Sequence, residues 1–206
     1  MSREESIVCL VRHGATSWNA AGRLQGRSDI PLSPEGALQA EKAGQALARK
    51  IAELGHARWD ALYSSPLQRA METAWAVGRW VGLTPHVDPG LIERAFGVLE
   101  GLTREEAEKA YPQWWQRPHL IPGLEDAEAL RARAVQAVER LARAHRGKAI
   151  IVISHGAFIN AFLRASGAVD PESPRTPLMN CSLTTVAHTQ AGWRAIALNE
   201  SSHLGA

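Results

Sequence analysis

Two uninterrupted apolar runs, Ile7-Val8-Cys9-Leu10-Val11 and Ala149-Ile150-Ile151-Val152-Ile153, constrain the fold of this chain most tightly. Each has the length and composition of a buried strand. Each also stops abruptly in residues that carry chemistry, Arg12-His13-Gly14 after the first run and Ser154-His155-Gly156 after the second. In α/β sheets ligands bind where strands end and loops begin, so the two histidines are presented in the same kind of place. An arginine, a nucleophilic imidazole, a second imidazole and glycines that admit backbone N–H groups to a ligand point to a site for a phosphoryl group.

Strand-like and helix-like segments alternate around these runs, as in an α/β layered fold on a mostly parallel sheet. Ser33-Pro34-Glu35 supplies an N-cap, a proline at the first helical position and an early acid, so a helix is expected through Ile51 despite Gly36 and Gly44. A short strand, Ala61 to Ser64, leads into Ser65-Pro66-Leu67-Gln68, an S-x-x-Q capping box that would put Arg69 on the first turn of a helix. Pro85 to Val87 is a further strand. Thr103 to Glu106 repeats the capping-box pattern, and Asp126 to His145 carries Leu130, Val138 and Leu141 at helical spacing. A helix from Ala157 to Ser166 is expected to stop at Gly167. Ser182 to Ala187 and Arg194 to Leu198 flank a turn at Gln190-Ala191-Gly192, and this closing hairpin would give the sheet an antiparallel edge.

Composition narrows the functional classes. With 206 residues and 45% hydrophobic content, a single domain over 1–206 can bury its core without metals or disulfides. The net charge is only +2, with 23 Lys+Arg scattered among 21 Asp+Glu, so no nucleic-acid partner is expected. No apolar stretch has the length to span a bilayer, and Met1 to Ser6 run into the first strand rather than a secretory apolar region. No membrane partner and a cytoplasmic location are therefore expected. Cys9 and Cys181 lack a C-x-x-C partner and read as buried thiols. The histidines other than His13 and His155 have no H-x₃₋₅-H spacing, so neither a metal site nor a cofactor is expected. The sequence does not set the oligomeric state; a homodimer is compatible with it.

Four motifs occur in order: R-H-G-x-T-x-x-N from Arg12, S-S-P-L-Q-R-A-x-x-T-A from Ser64, L-x-E-x-x-F-G-x-x-E-G from Leu91, and S-H-G from Ser154. In this set the chain resembles the histidine phosphatase superfamily, the phosphoglycerate mutase-like proteins, from about Ser6 to its carboxyl end. The resemblance implies a three-layer α/β/α sandwich and chemistry on a small phosphorylated metabolite.

An imidazole that attacks phosphorus needs one ring nitrogen unprotonated and the other N–H held by an acceptor, and His13 is the candidate nucleophile. Arg12 and Arg69 offer fork-shaped donors to the phosphoryl oxygens, and His155, if protonated, would add a third donor. The resemblance implies the same roles at these positions. A monoester also needs a proton delivered to its leaving oxygen and then taken from water. Glu93 stands where the family carries its proton donor, and Glu100 is the rival carboxylate. Asn19, the backbone N–H of Gly156, and Gln25-Gly26 are candidate substrate contacts, with a simple turn as the other reading of Gly26. The segment Tyr111 to His119 reads as a lid over the site or a hydrophobic plug. Pro122-Gly123-Leu124-Glu125-Asp126 departs from the P-G-G-E-S of many relatives, which puts ligand contact there in doubt and leaves Asp126 as a helix cap. The reading is a metal-independent phosphatase acting through a phosphohistidine. A phosphoglycerate mutase and a catalytically weak binding protein on the same scaffold are the alternatives. Mutases of the family usually carry longer insertions, and none of the five central residues is missing here.

Overall fold

In the computed structural model, which describes residues 5–172 and 177–205, the chain runs β1 (Ser6–Arg12), α1 (Ser17–Ala20), α2 (Pro34–Glu53), β2 (Ala61–Ser64), α3 (Gln68–Val81) and β3 (Pro85–Val87). It continues through α4 (Arg104–Ala110), α5 (Ala127–Ala144), β4 (Ala149–Ser154), α6 (Gly156–Ala165), β5 (Leu183–Thr189) and β6 (Gly192–Glu200). The stretch before Glu5, which the sequence reading treats as a lead into the first strand, lies outside the described residues.

The strands form a six-stranded sheet in the order β3-β2-β4-β1-β5-β6. The pairs β3–β2, β2–β4 and β4–β1 are parallel, while β5 runs antiparallel to β1 and β6 antiparallel to β5. The expected mixed sheet with an antiparallel hairpin at one edge is therefore present. Both apolar runs are central and fully covered, and their side chains alternate between two cores, as the two-residue period of a strand requires. Ile7, Cys9 and Val11 of β1 and Ala149, Ile151 and Ile153 of β4 pack with Leu47 of α2 and Val77 of α3. Val8, Leu10, Ile150 and Val152 pack on the other face with Val138 of α5 and Phe158 and Phe162 of α6. The result is helices, sheet, helices. A smaller cluster of Leu99, Ala107 and Ile121 anchors the excursion between β3 and α5.

Most local signals act as the residue types predict. The Ser33 hydroxyl accepts from Gly36 N at 3.0 Å, Thr103 and Glu106 form a reciprocal capping box, and Asp126 accepts from Glu128 N and Ala129 N. Gly82 and Gly167, with φ of 71° and 74°, supply the left-handed residues beyond the ends of α3 and α6. One expectation fails: Ser65 does not cap α3. The helix begins at Gln68 after Leu67 with no side-chain cap, because the Ser65 hydroxyl lies 2.7 Å from His155 Nε2 instead. Both thiols are buried and unpaired, and burial pushes each up to about 12. No helix among the described residues is long and apolar enough to cross a membrane.

The loop after β1 is clamped by the start of α2. Ala15 O accepts from Ser33 N at 2.8 Å and from the Ser33 hydroxyl at 3.1 Å. The backbones approach so closely that a Cβ at Gly36 would stand 2.0 Å from Ala15 O, and one at Gly14 would stand 2.5 Å from Gly36 O. Gly36 is thus a contact requirement rather than a helix defect. Gly36→Ala should cost about 1–3 kcal/mol, the range for overpacking, and lower Tm by roughly 2–10 °C in a thermal melt. An unchanged Tm would mean that the clamp is not tight.

Candidate active site

Register builds the site. Arg12 at the end of β1 lies opposite Ser154 at the end of β4, and Ser64 at the end of β2 lies opposite Ile153. His13, His155 and Ser65 therefore leave three adjacent parallel strands side by side, with His155 in the middle. Backbone bonds extend the ladder by one step, from His13 N to Ser154 O at 2.9 Å and from Ser65 N to Ile153 O at 3.0 Å. The imidazole centroids are 5.1 Å apart.

His13 Nδ1 is 2.7 Å from the carbonyl oxygen of Gly14, its own neighbour. A carbonyl only accepts, so Nδ1 carries the proton and Nε2 is left as a lone pair in the neutral ring. Burial, followed by the charges of Arg69 and Arg12, holds the His13 pKa well below 6.5. His155 is depressed in the same way, by burial first and then by His13, Arg69 and Arg12. Both shifts favour the neutral ring, so His155 could add a third donor only through the N–H that a neutral ring keeps. The Ser65 hydroxyl, which accepts from Leu67 N at 3.4 Å, lies 2.7 Å from His155 Nε2, and the buried Nδ1 has no protein partner among the described residues.

Two guanidinium groups converge on these rings. Arg69, on the first turn of α3 as expected, is wholly buried, with one terminal nitrogen donating to Ser28 O and the other to Gly26 O, both at 2.7 Å. Arg12 donates to Leu178 O at 2.6 Å. The hydrogen bonds of both go to backbone carbonyls rather than to carboxylates, and each buried Nε lacks a partner. Burying a cation is costly, and with no carboxylate hydrogen-bonded to either guanidinium the pair can serve as a preorganised receptor for an anion. Thr73 ties the two halves together, accepting from Gly14 N at 3.0 Å and donating to Arg69 O at 2.7 Å.

Glu93 arrives from the loop after β3 and is buried at the start of α6. Its Oε1 accepts from Arg94 N and Phe158 N, both at 2.9 Å, and its Oε2 accepts from Ala157 N at 3.1 Å. Burial outweighs these bonds and raises its pKa above the usual carboxylate value. Glu100 differs. Burial alone would raise it, but bonds from the Ser28 hydroxyl and from Arg27 N, Phe96 N and Ser28 N hold it below that value. Its role is to fold the 25–28 loop, and a Cβ at Gly26 (φ 52°) would stand 2.1 Å from its Oε1.

A cleft of about 450 Å³ opens on this assembly. Arg12, His13, Arg69 and Glu93 line it, as do the secondary candidates Asn19, Gln25, Gly26 and Gly156, while His155 is buried behind. Asn19 Oδ1 accepts from Thr16 N, and the one Thr16 hydroxyl proton is within reach of both Asn19 Oδ1 at 3.1 Å and Gln25 Oε1 at 3.0 Å, so the amide N–H groups are what these two can best offer a ligand. No residue of the Tyr111 to His119 segment lines the cleft; Tyr111 and Trp114 pack on the Leu99 cluster, as a plug would.

Sequence reasoning missed several contributors. Ser65 carries the local sequence pattern of a helix cap. Asn180, whose side-chain amide donates to His13 O at 2.9 Å, and Leu178, whose carbonyl holds Arg12, lie in a loop with no motif. Arg23 also lines the cleft, two residues before Gln25, a proximity that could have singled it out.

The sequence profile of the histidine phosphatase superfamily (branch 1) matches residues 8–201, and the chain belongs to that superfamily of phosphatases and phosphoglycerate mutase-like enzymes. It is 34% identical over 199 residues to an uncharacterized phosphatase, PhoE, of Bacillus subtilis (strain 168), covering 97% of both chains. It is also 34% identical over 210 residues to a metal-independent phosphoserine phosphatase of Arabidopsis thaliana, covering 98% of this chain and 84% of that one. Among solved structures, a mycobacterial glucosyl-3-phosphoglycerate phosphatase complexed with VO3 superposes with a TM-score of 0.81 at 26% identity, covering 95% of this chain and 99% of that one.

The neutral histidines make stability depend on pH. Each binds fewer protons folded than unfolded, so its contribution is complete above about pH 6.5 and is lost as pH falls below that value, whereas the raised Glu93 pKa acts with the opposite sign. The unfolding free energy from urea titration should therefore fall from pH 7 to 5.5, by up to about 1.4 kcal/mol per pH unit for each buried histidine. His155→Asn should flatten the slope. Equal slopes in wild type and variant would refute the neutral assignment.

Proposed function

We propose that the protein hydrolyses a small phosphate monoester, without a metal ion, through a phosphohistidine on His13. The observation that carries the reading is the His13–Gly14 bond, which fixes the tautomer and leaves Nε2 as nucleophile beside the half-buried Arg12 and the buried Arg69. In the first step the Nε2 lone pair attacks phosphorus, the ester P–O bond breaks, and the leaving oxygen takes a proton from Glu93. In the second, water attacks phosphorus, its proton passes to the Glu93 carboxylate, the P–N bond breaks, and His13 returns neutral. Arg12 and Arg69 neutralise the equatorial oxygens, the task a divalent metal performs elsewhere, and His155 donates through Nδ1. Glu93 suits both steps because its Oε2 accepts only one backbone bond and burial favours its protonated form. Asn19, Gln25, Gly26 and Gly156 are substrate contacts in this reading. The activities of the Arabidopsis and mycobacterial relatives support a small phosphorylated metabolite as substrate.

Leaving-group chemistry tests the assignment. Glu93→Gln should depress hydrolysis of alkyl phosphates far more than that of p-nitrophenyl phosphate, whose leaving group is stable as an anion; His13→Ala should abolish both. Arg12→Ala and Arg69→Ala should each lower kcat/KM by roughly 10²-fold or more. Rapid quenching with labelled substrate should trap an acid-labile, base-stable adduct on His13, and assaying released phosphate beside isomerised product separates hydrolysis from mutase activity. Label on Ser17 or Ser154, or activity abolished by EDTA and restored by a divalent metal, would overturn the reading.

A further inference from the structure

Glu93 lies between two single turns of 3₁₀ helix, Pro89–Leu91 and Gly97–Leu99, where neither an α-helix nor a strand fixes the backbone. Side chains fix it instead. Four consecutive carbonyls each accept from one: Gly90 O from Arg133 at 3.0 Å, Leu91 O from the Ser154 hydroxyl at 2.8 Å and Ile92 O from Arg133 at 2.6 Å. The fourth, Glu93 O, accepts from Arg27 Nε at 3.2 Å and from Arg133 at 3.4 Å.

Arg133, on α5, supplies most of these bonds. A guanidinium has five N–H donors in one plane, and here all five are placed. Three go to Gly90 O, Ile92 O and Glu93 O, and two meet the Glu125 carboxylate, from Nε at 3.1 Å and from a terminal nitrogen at 3.0 Å. The two-pronged pair sets the plane of the guanidinium, and with side chains only 22% and 13% exposed it is less screened than a surface pair. Glu125 is tied to the same loop, since its Oε2 accepts from Ala95 N at 3.2 Å and pairs with Arg27 at 3.4 Å, and its N donates to Ala95 O at 2.9 Å. Arg133 also stands over the Phe158 ring, 5.6 Å from its centroid, and Phe158 N is a donor to the Glu93 carboxylate. Further along the same face of α5, Ala137 lies against Gly90 and Arg140 pairs with Asp88. Arg133 thus meets both the backbone of Glu93 and the seat of its carboxyl group, yet it does not line the cleft.

We propose that Arg133, held in plane by Glu125, is the positioning residue of the proton donor: it fixes where the Glu93 carboxyl stands without touching substrate. The inference rests on the reading of Glu93 given above. Proton transfer requires the carboxyl within hydrogen-bond reach of the leaving oxygen and then of the attacking water, so a displaced loop injures those transfers first. Capture of the phosphoryl group and attack by His13 rest on Arg12 and Arg69, which other loops hold.

Arg133→Lys tests this, because lysine keeps the positive charge that acts on His155 but brings three donors on a point charge in place of a planar five. The readout is kcat/KM for an alkyl phosphate divided by kcat/KM for p-nitrophenyl phosphate, whose leaving group needs little protonation. The ratio should fall roughly tenfold in Arg133→Lys. It should fall as well in Glu125→Gln, which retains Arg133 but loses the two-pronged ion pair. If Arg133 acts through Glu93, the Glu93→Gln/Arg133→Lys double variant should keep the ratio of Glu93→Gln. A merely structural role would lower both rates together and leave the ratio in place, and an inactive fraction cancels from it. With Glu93→Gln lowering the ratio, no change in Arg133→Lys or in Glu125→Gln, or a further fall in the double variant, overturns the positioning role alone. A ratio unmoved in Glu93→Gln overturns the proton-donor reading, and the positioning role with it.

Discussion

The parallel ladder joining β1, β4 and β2 is the constraint on which the rest depends. Its register brings the ends of three strands level, so that His13, His155 and Ser65 emerge as neighbours. A slip of one residue would exchange the two faces of a strand. In β1 it would turn Ile7, Cys9 and Val11 from one core toward the other and carry His13 away from His155. The hydrophobic cost of the wrong register thereby enforces the geometry of a polar site: each buried aliphatic side chain contributes about 1.5–3 kcal/mol.

Around that ladder the protein holds two charges that water would otherwise stabilise. Arg12 and Arg69 are kept in place by carbonyls of Leu178, Ser28 and Gly26, and those loops are themselves organised by polar groups at a distance from the cleft. Glu100 gathers the 25–28 loop, and the Asn199 side chain accepts from Met179 N beside Leu178. His203 Nε2 lies 3.0 Å from Cys181 O, close to Asn180 and its bond to His13. The carboxyl-terminal tail thus supports the wall of the cleft. These interactions act on groups fixed before any substrate arrives, and such preorganisation is the form in which electrostatics contributes most to a reaction.

Two pairs of like residues show how environment divides the labour. Glu93 and Glu100 are separated by a single short loop, yet burial raises one pKa while hydrogen bonds led by the Ser28 hydroxyl lower the other. Burial lowers the pKa of both His13 and His155, but Nδ1 of the first meets Gly14 O and Nε2 of the second meets the Ser65 hydroxyl, so opposite ring nitrogens are taken up by these contacts. Neither distinction is written in residue type.

The sequence by itself determined the layered α/β class, the central strands and most helix starts, and it singled out Arg12, His13, Arg69, Glu93 and His155, which the fold brings together. These follow from short-range signals: unbroken apolar runs, Ser33-Pro34 and Thr103-Glu106 caps, and motifs a few residues long. Tertiary structure decided what those signals could not. Ser65 has the local pattern of a cap and serves His155 because β2 happens to lie beside β4. Gly36 looks like a weak helix position and is required by the backbone of Ala15, more than twenty residues away in sequence. His155 could be protonated or neutral until its burial among Arg12, Arg69 and His13 is known. In each case the deciding partner is distant along the chain, and only the paired strands and packed helices bring it within hydrogen-bonding or Coulomb range.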